Sequence, residues 1–82
     1  MRIRKQPLGT RNIVGATIKR LRQDNNIRQK DLLAQLQVRG IDLNASGLSK
    51  IEGQIRHVTD IELLAICEIL NISADKIIGR VK

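Results

Sequence analysis

Residues 44 to 52 read Asn44-Ala45-Ser46-Gly47-Leu48-Ser49-Lys50-Ile51-Glu52, a run that mixes small hydrogen-bonding side chains and one lysine with two large apolar residues. On a helix Leu48 and Ile51, three positions apart, share an inward face and leave Ala45, Ser46, Ser49 and Lys50 pointing outward. Small outward residues let a backbone come close to a large ligand, serine hydroxyls donate or accept, and Lys50 donates to guanine acceptors or to phosphate. The chemistry such a ridge supports is noncovalent recognition of nucleic-acid edges. An ordinary solvated helix face is the plainer alternative for Ser46, Gly47 and Ser49. Gly47 is the odd member, since a mid-helix glycine costs roughly 1 kcal/mol relative to alanine and so marks either a close ligand approach or a tight helix crossing.

Covalent catalysis has little to work with in this chain. There is 1 His, His57, and 1 Cys, Cys67, and no carboxylate pair or glycine-rich phosphate loop stands at a spacing suited to acid, base or phosphoryl chemistry. His57 has no second ligand at metal spacing and reads as a loop residue. A small helical chain also offers little cavity. The expectation is a binding protein that is not an enzyme, with no cofactor and no metal.

Charge placement points the same way. Of 15 Lys and Arg against 8 Asp and Glu, nine cations (Arg2, Arg4, Lys5, Arg11, Lys19, Arg20, Arg22, Arg28 and Lys30) precede position 31 with only Asp24 among them. The first part of the chain can therefore form a polyanion-facing surface, whereas the remainder is close to neutral. Arg2, Arg4 and Lys5 could enter a minor groove or grip phosphates, or simply add nonspecific attraction. Phe, Tyr and Trp number 0, which removes the aromatic platforms that bind single strands and argues for a duplex partner.

The elements that must hold these residues are helical throughout. At 82 residues the chain is one domain. Residues 1 to 11, with the only proline at Pro7 and then Gly9, read as a flexible basic arm, the domain as residues 12 to 79, and residues 80 to 82 as a tail. A first helix starts near Thr10 or Asn12 and runs to about Asn25, with Val14, Ile18 and Leu21 on one face. A second, from Arg28 to about Gln37, buries Leu32, Leu33 and Leu36. The connector through Gly40 pins itself with Ile41 and Leu43, and Asn44 caps a third helix from Ala45 to Glu52. Thr59 and Glu62 form a capping box for a fourth helix that ends at Leu70 with Leu63, Ile66, Cys67 and Leu70 inward. Ser73 caps a short fifth helix burying Ile77 and Ile78.

Ile18-Lys19-Arg20-Leu21-Arg22, Gln29-Lys30-Asp31-Leu32-Leu33, Leu48-Ser49-Lys50-Ile51-Glu52 and the stretch from Leu63 to Ser73 together resemble the Cro and phage-repressor (XRE-like) helix-turn-helix family over roughly residues 13 to 78. The longer stretch from Arg56 to Leu63, where an Arg and an Asp bracket the start of helix four, looks like a longer-loop branch of it. That resemblance implies an all-α, compact five-helix lambda-repressor-like domain whose third helix reads double-stranded DNA in the major groove, acting as a bacterial or phage transcription regulator, a repressor by preference. It places Gln29 on the DNA backbone and extends the DNA-binding set to Gln29, Asn44, Ala45, Ser46, Gly47, Ser49, Lys50, Gln54 and Arg56. The chain departs from the family pattern at a longer connector, at Arg28 in place of a Ser or Thr cap, and at Gln54 where a glycine is common. Glu52 reads instead as structural, paired with an arginine of helix one such as Arg22.

A pure interaction module, antitoxin-like or adaptor, is the rival reading. Its surface would be Ile61, Leu64, Ala65 and Ile69, taken to lie off the core face of helix four, and the same residues could form a homodimer seam in helices four and five. A free thiol and the absence of a long apolar run point to a cytoplasmic protein without a membrane partner.

Overall fold

Five helices succeed one another: α1 Gly15–Asp24, α2 Gln29–Val38, α3 Ala45–Glu52, α4 Asp60–Leu70 and α5 Ala74–Ile78. The computed structural model describes residues 8 to 78, and no strand occurs among them. Arg2, Arg4 and Lys5, residue 79 and the tail from 80 to 82 lie outside the described residues. No described helix is long and apolar enough to cross a membrane.

The core is aliphatic. Ile18 from α1, Leu32 and Leu36 from α2, Leu48 and Ile51 from α3, and Ile66 from α4 are fully buried, each contributing about 1.5 to 3 kcal/mol of burial free energy. α3 packs on α1 and α2, α4 packs on α1, α2 and α5, and the two-helix unit α2–α3 is thereby clamped from both sides.

Local rules explain the boundaries. Asn44 accepts a hydrogen bond from the Gly47 N–H at 2.7 Å, which caps α3. Thr59 and Glu62 close the expected capping box, with bonds of 3.0 and 3.1 Å. Gly40 turns at φ +84°, a conformation glycine adopts without penalty. Leu43 is buried and Ile41 packs on the core, so the connector is pinned as its apolar residues suggested. Arg28 precedes α2 without capping it and pairs instead with Asp31 of the first turn at 3.0 Å.

Four expectations are corrected. α1 begins at Gly15, later than Thr10 or Asn12, although Asn12 does cover exposed N–H groups as expected: its Oδ1 accepts from Val14 and Gly15 while its amide donates to the Ile51 and Arg56 carbonyls. Residues 8 to 11 are not a free arm: Gly9 N–H donates to the Gly53 carbonyl and Arg11 N–H to that of Gln54, both at 2.9 Å. On α4, Ala65 is buried and Ile69 packs against the core, so neither belongs to an outward seam. That helix is covered by α1, α2 and α5 together, which makes its inward face wider than one stripe. Finally, Ile77 is buried but Ile78 is exposed, since adjacent residues lie about 100° apart around a helix and a five-residue helix can turn only one of them inward.

Candidate nucleic-acid interface

α3 is fixed from beneath by Leu48 and Ile51, at its start by Asn44, and at its end by a buried ion pair. Arg22 Nε donates to Glu52 Oε2 at 2.8 Å and its Nη2 to Oε1 at 3.1 Å, a fork-to-fork pair between α1 and α3. The Arg22 Nη1 donates to the Ile27 carbonyl at 2.9 Å, tying the α1–α2 turn to the same charge. The expected Arg22–Glu52 pairing is therefore present. Gln29, the first residue of α2, donates from Nε2 to Glu52 Oε1 at 3.1 Å and accepts the Ser49 hydroxyl at 3.2 Å. One continuous network thus sets the position of α3 relative to both earlier helices.

Gly15 permits the close approach of α1 and α3. A Cβ there would collide with the Ile51 carbonyl oxygen and crowd that of Glu52. The tight helix crossing that Gly47 suggested is at Gly15 instead. At Gly47 a Cβ would meet Leu43 Cδ1 at 2.8 Å and Asn44 Oδ1 at 3.2 Å, so that glycine makes room for the residues that start its own helix.

Outward, Ala45, Ser46, Ser49 and Lys50 are exposed, and Asn44 stands at the head of the same ridge. Lys50 makes no ion pair among the described residues. Open grooves flank the ridge on both sides. One, of about 500 Å³, runs between Asn44, Ser46, Gly47 and Lys50 and a wall of Arg11, Ile55, Arg56 and His57. The other, of about 330 Å³, lies between Ser49, Glu52 and Gly53 and the side chains of Lys19, Arg22 and Gln29.

Gln54 and Arg56 sit beside this surface with their polar groups engaged inside the chain. Gln54 occupies left-handed backbone at φ +62°, the conformation a glycine would take more easily. Its Oε1 accepts from the Ala16 N–H and its Nε2 donates to the Gly9 carbonyl, both at 3.1 Å, so it staples the 8–11 segment and α1 to the end of α3. Arg56 donates from Nη1 and Nη2 to the two Glu62 carboxylate oxygens at 3.1 Å each. Its partner is Glu62, inside the first turn of α4, the helix whose start Arg56 and Asp60 bracket. Burial alone would raise the Glu62 pKa, but the hydrogen bonds from Arg56 and Thr59 outweigh it and hold the carboxyl below its usual range. Asp31 is likewise held low by the Arg28 hydrogen bond, and burial pushes the Cys67 thiol up.

Three side chains with no assigned recognition role, Arg11, Lys19 and His57, line the two grooves. Arg11 and Lys19 were visible in the sequence only as part of the basic first third. Nothing local signals that the 8–11 segment docks on the loop after α3, since its partners lie about forty positions away.

Two short helices clamped at a fixed angle, the second presenting a small polar ridge, define a helix-turn-helix domain. The chain belongs to the Cro/C1-type HTH DNA-binding domain family, whose model matches residues 17–82. Membership makes it a DNA-binding domain associated with transcription regulation, in a family that is typically non-enzymatic. No curated protein and no solved structure matches the chain.

Proposed function

We propose that this chain is a sequence-specific transcription regulator that reads the major groove of double-stranded DNA with α3 and acts as a repressor, the role the phage-repressor resemblance favours. The observation that carries this reading is the exposed ridge Ala45, Ser46, Ser49 and Lys50, anchored underneath by Leu48 and Ile51 and flanked by grooves that hold cations. In this reading Ser46, Ser49 and Lys50 face base edges, Ala45 and Gly47 permit close approach, and Asn44 donates from its amide at the head of the helix. Gln29 orients Ser49 and stands at the backbone-facing start of α2. Gln54 holds the end of α3 against α1 and the segment before it, and Arg56 lines the groove beside the ridge with its guanidinium on Glu62.

Ile61 and Leu64 are 67% and 60% exposed on α4 and remain available as a homodimer seam. A two-fold dimer through them would present two α3 helices to half-sites one helical turn apart. The adaptor reading needs the same pair of residues but no DNA.

The test is a salt titration of binding to duplexes selected from a random pool. A regulator shows affinity falling steeply with salt together with a preferred sequence. Lys50→Ala is expected to weaken binding to the selected duplex by about 1 to 3 kcal/mol. Unchanged affinity for that duplex would remove α3 from the role of reader.

A further inference from the structure

We infer that Arg11 and His57 form a seat for one phosphate of the DNA backbone beside α3, an inference that rests on α3 lying against duplex DNA. Arg11 is exposed, yet its backbone is fixed: its N–H donates to the Gln54 carbonyl at 2.9 Å, and the next side chain, Asn12, donates to the Ile51 and Arg56 carbonyls at 3.2 and 2.8 Å. The segment before α1 is thus fastened to the loop after α3, and this brings Arg11 and the exposed His57 to the wall of the groove that Lys50 lines from the other side. The charge of Arg56 in that groove is already taken by Glu62. Among the described residues no carboxylate lines it, and neither Arg11 nor Lys50 makes an ion pair.

The ligand class follows from this geometry. A helix lying in a major groove about 12 Å wide fills it, so the flanks of the helix meet the strand backbones and not base edges. A phosphodiester oxygen pair suits an arginine fork, and an imidazole N–H adds a further donor. The opposite flank, with Lys19 and Gln29, faces the other strand, so the ridge is held between two backbone contacts. Arg11 contributes to affinity on every sequence and to discrimination on none.

Arg11→Ala, His57→Ala and Arg11→Lys are tested against the selected duplex and a mixed-sequence duplex over a salt series, with circular dichroism confirming unchanged folding. Arg11→Ala is expected to lower the slope of log affinity against log salt by about 1, to weaken both duplexes by the same factor, and to leave their ratio unaltered. Arg11→Lys restores the slope, and His57→Ala weakens both duplexes alike. Ethylation of single phosphates identifies one that inhibits the wild type and no longer affects Arg11→Ala. An unchanged slope, or a loss confined to the selected duplex, overturns the phosphate seat while leaving α3 as reader. A wild type that binds no duplex in a salt-dependent way overturns both.

Discussion

Replacing Arg22 by alanine is expected to be the most destabilising single change at the interface. Arg22 and Glu52 are 7% and 3% exposed, and the pair is bidentate, so truncating the arginine strands a buried carboxylate. Only the Gln29 amide would still donate to it. Breaking a buried pair in this way costs about 3 to 5 kcal/mol, and the Ile27 carbonyl loses its donor as well. Stability of 0.05 to 0.15 kcal/mol per residue gives a chain of 82 residues roughly 4 to 12 kcal/mol in total. The variant is therefore expected to lose from about a quarter of its stability to all of it. Urea unfolding followed by far-ultraviolet circular dichroism is the suitable assay, because no Trp or Tyr reports on folding. Two companions keep the outcome readable. Arg22→Lys retains the charge but not the fork and should lose less. The double variant Arg22→Leu with Glu52→Leu removes both charges and should recover most of the stability, yet discriminate poorly between duplexes because Gln29 and Ser49 have lost their anchor. A loss below about 1 kcal/mol for Arg22→Ala, or a double variant no more stable than the single one, would refute the reasoning.

Other outcomes follow from the same packing. Gly15→Ala is expected to destabilise by more than the roughly 1 kcal/mol that alanine would gain as a helix former, since its methyl meets backbone carbonyls of α3 that cannot swing aside; the urea midpoint checks this. Glu62 has a folded pKa below its ordinary value of 4.5, so its contribution is present above that value and is lost as pH falls through the lower folded value. Urea midpoints of the wild type should decline over that acid window, and Glu62→Gln should be less stable at neutral pH but converge with the wild type in acid.

The helical reading of the sequence reached far because the relevant forces are local. Asn44, Thr59 and Glu62 cap the helices that their spacing announced, and the third helix runs over the expected residues. The Arg22–Glu52 pair was also legible: an acid beside a polyanion-facing helix calls for an internal cation, and few arginines could supply one. The candidate site was legible as composition, in Ser46, Ser49 and Lys50, but not as a surface with two flanks.

What the sequence alone determined is the set of helices, their apolar stripes and the basic bias of the first part. Tertiary structure decided the rest, for a physical reason: the deciding contacts join residues thirty to forty-five positions apart, and periodicity carries no information at that range. Gly15 leaves no room for a Cβ only because Ile51 crosses it, Gln54 is a staple only because Gly9 and Ala16 come within its reach, and Ala65 turns out buried only because α4 is covered on more than one side. Arg11 and His57 likewise face a common groove only after the segment before α1 has docked on the loop after α3.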